Sequence, residues 1–486
     1  MDITRCMSTQ HPDNASVPFF ASSPVLAGED EIREAYYCYS HLGCDEQMWD
    51  VEGKEIDPHV VKKLLTFYPE FFRKHILGRD LRLTVRVPNP SVERAEAKIL
   101  LETLESIPRS FDAARAFYGD DAPPPIFEVI LPMTTSARCL NRVYSFYQDF
   151  IIGRQHRPVL DGDITVAEWI GDFGPARINV IPLFEDIPTM LRAGEIVADF
   201  LEGKEVEYQR VFLARSDTAM NYGLAAAALA NKIALQQLYE TGERTGVPIC
   251  PIIGMGSAPF RGGLSPRTVE RVSGEYPSVV TFTIQSAFKF DNPPPDVNRA
   301  CDFLKRRTVS PPPPVDEERA RALIENYSAA YRRRIVEIAP FINAAARFVP
   351  ARRARKLHIG LFGYARELDG VSLPRAISFT CALYSLGCPP ELIGLEALSD
   401  EDLAFLDRVY PSFRAKLTDA LCFTDPESPL LTDGLRRAVQ NAGLEWNPDE
   451  EHTRLARQFR ECVDAGDSAK AGDLVLQAAL RRRFLG

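Results

Sequence analysis

From residue 81 onward, short apolar runs recur, each ending in polar or glycine residues. They are Leu81–Val87, Ile126–Leu131, Ile178–Phe184, Val211–Ala214, Val247–Ile253, Val279–Ile284 and Leu357–Phe362. Helical stretches such as Ser91–Leu104, Tyr222–Tyr239 and Glu317–Ala339 separate most of them. Runs this short, rich in Val, Ile and Phe, read as buried parallel strands. Strands alternating with helices predict a mainly parallel α/β sheet. With seven or eight strands, and chemistry-bearing residues at so many strand ends, a closed TIM-type β/α barrel is favoured over an open doubly wound sheet. No GxGxxG follows a first strand, which argues against a dinucleotide fold.

Around that barrel we expect one unit over residues 1–486. A polar, proline-containing arm runs to about residue 35, the barrel spans about 36–395, and additional helices fill about 396–486. The runs Pro293–Pro295 and Pro311–Pro314 read as extended connectors. Arg481-Arg482-Arg483 reads as a solvated helix C-terminus favoured by the dipole.

Two acids follow directly on apolar runs: Glu185 after Ile178–Phe184, and Asp217 after Val211–Ser216. They lie 217 − 185 = 32 residues apart, about one strand–helix–strand unit, so both are delivered to one active-site face. Two such carboxylates could hold one hard divalent cation, with water and substrate completing its shell. The segment Gly254–Gly263 also follows a strand; Gly262 and Gly263 let backbone approach a ligand closely or act as hinges, and Arg261 brings charge to a phosphate or carboxylate. It lacks the Gly-Lys-Ser/Thr of a Walker A loop, and a plain structural turn remains open.

Arg86 lies inside an apolar strand, where a guanidinium is costly without an anion, either a substrate or a structural carboxylate. Arg366 and Arg375 stand beyond the last apolar run, and together these arginines describe an anion-selective mouth. Gln285 ends another strand and could hydrogen-bond substrate or merely satisfy backbone groups. His11, one of seven histidines, sits in a polar segment near the terminus and by itself reads as exposed and idle.

Bulk properties exclude several classes. The net charge is −10, from 57 Lys and Arg against 67 Asp and Glu, which argues against nucleic-acid affinity. Apolar stretches fall short of the ~18 residues of a membrane span. Ten cysteines without a CxxC pair, and a first segment with no apolar h-region, lead us to expect a cytoplasmic protein with reduced thiols.

Several motifs in one order carry a resemblance: Met7–Asn14 (Met-Ser-Thr-Gln-His-Pro-Asp-Asn), Arg215–Gly223 (Arg-Ser-Asp-Thr-Ala-Met-Asn-Tyr-Gly), and Leu373–Leu395. The chain resembles the archaeal type of phosphoenolpyruvate carboxylase from residue 7 to about 395, and more faintly to its end. The resemblance implies a barrel carboxy-lyase that joins phosphoenolpyruvate and bicarbonate to give oxaloacetate and phosphate. It further implies Mg2+, with Mn2+ as a substitute, and a homotetramer. Glu185 and Asp217 match the metal ligands, His11 the catalytic histidine, and Arg261 the mobile-loop arginine. Arg366 and Arg375 match the pair holding the substrate phosphate, and Arg86 matches a further active-site arginine. Relative to long-chain members, Met220 replaces a lysine, and Ile253 and Met255 stand where the glycine loop would carry a histidine and an arginine. The competing expectations are another metal-dependent enolpyruvate lyase or aldolase, and a catalytically idle scaffold barrel.

Overall fold

The computed structural model describes residues 3–486 apart from 53, 55, 95–96, 355–366 and 369. Eight parallel strands close into a barrel: β1 Cys6–Ser8, β2 Glu46–Asp50, β3 Arg82–Arg86, β4 Glu128–Leu131, β5 Asn179–Phe184, β6 Gln209–Ala214, β7 Ile249–Gly254 and β8 Thr281–Ile284. Closure runs through β1 and β8, with Met7 opposite Thr283.

The expected β/α barrel is therefore present, but it begins earlier than the sequence suggested. The segment read as an N-terminal arm contains β1, and all eight strands fall between Cys6 and Ile284. The expected run Leu357–Phe362 lies outside the described residues.

Side chains alternate inward and outward along each strand, so every second residue enters the barrel. On β2 these are Glu46, Met48 and Asp50; on β3 they are Arg82, Thr84 and Arg86. Met7, Met48, Ile130, Ile181, Leu183, Phe212 and Ile252 form the apolar middle of the barrel. Below it, at the N-terminal ends of the strands, Arg210 donates to Glu46 (2.8 and 2.6 Å) and to Glu128 (2.8 Å). Arg82 donates to the same Glu128 at 3.1 Å. Above the middle layer lies the site.

Helices wrap the barrel. The Ala-rich helix Leu224–Thr245 is buried along most of its length and packs on Glu317–Ala346. Pro294 and Pro295 open the helix Pro294–Arg306, correcting the expected connector: proline suits a first helical turn, whose N–H groups lack partners anyway. The C-terminal region is helical as expected, ending in Glu450–Ala465 and Ser468–Arg482. Its basic end is solvated only in part: Arg481 is exposed as expected, whereas the next residue is not. Arg482 is buried and donates to the Leu485 carbonyl at 2.9 Å, which folds the last residues back onto the barrel. All ten cysteines are free, and among the described residues no helix is long and apolar enough to cross a membrane.

Candidate active site

A cavity of about 120 Å3 opens at the C-terminal ends of the strands, where barrels place their chemistry. It is smaller than the several hundred Å3 of a drug-sized ligand site, and suits a small acid.

Glu185 follows β5, and Asp217 lies in the first turn of the helix Ser216–Tyr222 after β6; both line the cavity. Glu185 Oε2 accepts the Met133 N–H at 2.8 Å. Met133 holds that donor with φ of 50°, a left-handed conformation uncommon for a residue with a side chain. Burial, then the neighbouring charges of Glu52 and Asp217, push Glu185 up to about 8. Among the described residues no three His, Cys, Asp or Glu side chains converge as a metal cluster.

Cations face these acids. Arg86 grips Asp50 with two parallel bonds, 2.7 and 2.8 Å, and reaches Glu52 at 3.2 Å. Arg86 thus pairs with structural carboxylates, as one of its two readings expected, and it also lines the cavity. Arg375 also lines the cavity, as the N-cap of the helix Ala376–Ser385, with Ala376 and Ile377 beside it and the charges of Asp217 and Glu52 acting on it. A guanidinium together with a ten-residue helix N-terminus suits a bound oxyanion. Arg366 lies outside the described residues.

His11 is partly buried and lines the cavity, which corrects the expectation that it is exposed. Its Nδ1 lies 2.9 Å from Thr9 Oγ1. Burial, then Lys54, Arg86 and Arg261, hold the imidazole well below its usual pKa, so it is neutral.

Arg261 is buried and committed. It donates to Ser216 (3.0 Å), Asp13 (3.1 Å), Gln285 (2.6 Å) and the Gly486 carbonyl (2.6 Å). Gln285 lines the cavity with its Oε1 engaged by that arginine. Gly262 and Gly263, expected as substrate contacts, are not among the residues that line the cavity. Gly262 has φ of 117°, and a Cβ there would meet Met255 Cγ at 2.7 Å; close packing behind Arg261 accounts for it.

Sequence reading missed Glu52, Lys54 and Arg215, all cavity-lining. Lys54 ion-pairs with Asp50. Arg215 is fully buried, with Tyr276, Tyr410 and Glu275 around its guanidinium. Its signal was available: a cation directly after the apolar run of β6 and two residues before Asp217. Gly486 was also missed, and only the folded chain shows it. Leu485 N–H donates to the Asp13 carbonyl at 2.6 Å, and a Cβ on Gly486 would lie 2.1 Å from the Ile377 carbonyl.

A family model described as phosphoenolpyruvate carboxylase matches residues 3–486. The chain belongs to the phosphoenolpyruvate carboxylase family. Relatives of that name align over the whole of both chains: 56% identical in Methanothermobacter thermautotrophicus, 52% in Methanospirillum hungatei and 49% in Pyrococcus furiosus. The match is to the archaeal type, and its members are carboxy-lyases. It extends through the C-terminal helices, where the motif resemblance had faded. The tail that closes on Arg261 is therefore part of the phosphoenolpyruvate carboxylase unit.

Proposed function

We propose that this protein carboxylates phosphoenolpyruvate with bicarbonate, giving oxaloacetate and phosphate. The observation that carries this reading is the meeting, in one small cavity, of two acids from adjacent strands with His11, Arg86, Arg261 and Arg375.

Glu185 and Asp217 would hold Mg2+, or Mn2+ in its place. A buried carboxylate pushed up to about 8, facing further acids, is a donor set short of positive charge. Two carboxylates plus substrate and water suit a hard cation that keeps part of its hydration shell. The metal would supply Lewis-acid stabilisation of negative charge developing on the substrate.

The remaining steps belong to the chain. Arg375, with the helix N-terminus behind it, takes the phosphoryl group, and Arg86 adds further positive charge. Bicarbonate oxygen attacks phosphorus; the bond from phosphorus to the enol oxygen breaks, leaving carboxyphosphate and the enolate of pyruvate. Neutral His11 accepts the carboxyphosphate proton as that species breaks down to CO2 and phosphate. The enolate carbon then captures CO2 to form oxaloacetate. Arg261, tied to Gln285, Ser216 and the chain's last residues, seals the cavity against water, which would protonate the enolate to pyruvate. We extend to this chain the family's homotetramer and a cytoplasmic setting.

The test couples product to malate dehydrogenase and NADH, omitting one component at a time. Oxidation of NADH should require phosphoenolpyruvate, bicarbonate and a divalent cation together. Turnover without bicarbonate would point to a lyase or aldolase and end the carboxylase reading.

A further inference from the structure

Residues 156–172 form a run of seventeen in which no residue is buried. The run is nonetheless built. Pro158 and Thr165 form an antiparallel bridge, with Val159 N–H to the Ile164 carbonyl and Val166 N–H to the Arg157 carbonyl, both 2.9 Å. A short helix, Val166–Ile170, follows, capped reciprocally by Thr165 and Glu168. The root is fixed to the body: Phe173 N–H donates to Gln155 at 3.0 Å, and Tyr147 donates to the Pro175 carbonyl at 2.9 Å.

This projecting arm is apolar where a solvated loop would be polar. Leu160 is 68% exposed, Trp169 66%, Ile170 59% and Ile164 47%, with Phe150 at 56% beside the root. A five-residue helix with no buried side chain does not hold itself in water. At 150–250 Å2 for a full aromatic side chain, these five present roughly 500–600 Å2 of apolar surface, at the upper end of the largest patch a monomer shows, where patches are often functional. A standard interface takes roughly 800 Å2 per partner, which the arm's polar rim completes.

The arm's charge identifies what covers it. Asp161, Asp163, Glu168 and Asp172 against Arg157 give 1 − 4 = −3, which disfavours nucleic acid and anionic lipid. The same chain carries an acceptor of opposite character. A surface groove of about 530 Å3 between the helices Val60–Phe67 and Ala97–Tyr118 is floored by Leu65, Ala113 and Phe117 and rimmed by His59, Lys62 and Arg109 with one acid, Asp112, so that its charge is 2 − 1 = +1 with His59 neutral.

We propose that the arm of one copy docks in the groove of a second copy of this chain, and reciprocally, in a closed two-fold contact. The inference rests on the oligomer proposed above, and it names the surface.

Sedimentation velocity of the full-length protein tests it at micromolar concentration. The wild type should sediment as an oligomer. Trp169→Asp with Ile170→Asp, and separately Lys62→Glu with Arg109→Glu, should each yield a smaller species, with an association constant weakened at least about 100-fold. Phe341→Asp, exposed elsewhere, should leave assembly intact. Adding Asp161→Lys and Asp163→Lys to the groove variant should restore association, which a merely misfolded variant could not do. A wild type that is monomeric throughout would overturn both the oligomer and this surface. An oligomeric wild type whose arm and groove variants assemble normally would overturn this surface alone. Dissociation by the arm variant with an unaffected groove variant would overturn the docking of arm in groove.

Discussion

The two ends of the barrel bury charge to opposite effect. At the floor, Arg210 lies between Glu46 and Glu128, Arg82 shares Glu128, and Thr4 and Thr84 donate to Glu46. There the cations and carboxylates satisfy one another within the protein. At the mouth, Glu185 is pushed up to about 8 by burial and its acidic neighbours, and Arg215 is buried beside Tyr276, Tyr410 and Glu275 without the two-carboxylate grip that holds Arg210. The acids there are less fully matched by the protein's own cations than those at the floor. Both arrangements come from the same alternation along the strands: Glu46 and Asp50 on β2, or Arg82 and Arg86 on β3, differ only in which end they occupy. Charge completed by the protein gives stability; charge left for a ligand gives function.

Substitutions at the two ends should therefore fail in different ways. Asp217→Asn should lower kcat by about 10³-fold or more while leaving the thermal midpoint close to wild type. Near-normal turnover in the coupled assay would remove Asp217 from the metal. Arg210→Met at the floor should do the reverse: roughly 3–5 kcal/mol lost in denaturant unfolding, because buried Glu46 loses its arginine and Glu128 keeps only Arg82, with kcat per folded molecule unchanged. If that variant were as stable as wild type, the floor would not be the compensated end. Arg215→Met sharpens the contrast, since both arginines are fully buried. Losing a guanidinium that lines the cavity, with Glu275 and Tyr410 near it rather than two carboxylates gripping it, should cost less stability than at the floor, yet raise KM for phosphoenolpyruvate or bicarbonate about 10–100-fold. A destabilised Arg215→Met protein with normal KM would make it a structural residue.

The smallest expected effect is in pH. The carboxyl of Glu185 has a folded pKa near 8, above its ordinary value of 4.5. Its contribution to stability is therefore fully present below pH 4.5 and is lost as pH rises through about 8. Metal-free protein should lose thermal stability over that window, and Mg2+ should restore more at pH 8 than at pH 6. Glu185→Gln should flatten both trends; an unchanged slope in that variant would assign the titration to another group.

How much of this was legible depends on where each residue's signal lies. Strands β3 to β8 showed themselves as apolar runs. Strands β1 and β2 did not: Cys6–Ser8 has three residues, and Glu46-Gln47-Met48-Trp49-Asp50 places charge at both ends, because one acid belongs to the floor and the other to the mouth. With those strands hidden, the start of the barrel was misplaced, and His11 looked like part of a loose terminus. Glu185, Asp217 and Arg375 were legible because each follows or opens an element whose pattern is clear. Glu52 and Lys54 were not, since they follow the strand that was missed. Gly262 and Gly263 were read for conformational freedom alone, and only packing shows that their space belongs to Met255 and Pro259. Contacts between distant parts of the chain, such as Arg261 with Gly486, leave no local trace.

The direct test of a mouth built to be completed by a ligand is Mn2+ binding followed by electron paramagnetic resonance, on wild type and on Glu185→Gln with Asp217→Asn. The account predicts one site per chain in the wild type, tightened by phosphoenolpyruvate, and no such site in the double variant. Mn2+ bound equally well by both proteins would contradict it.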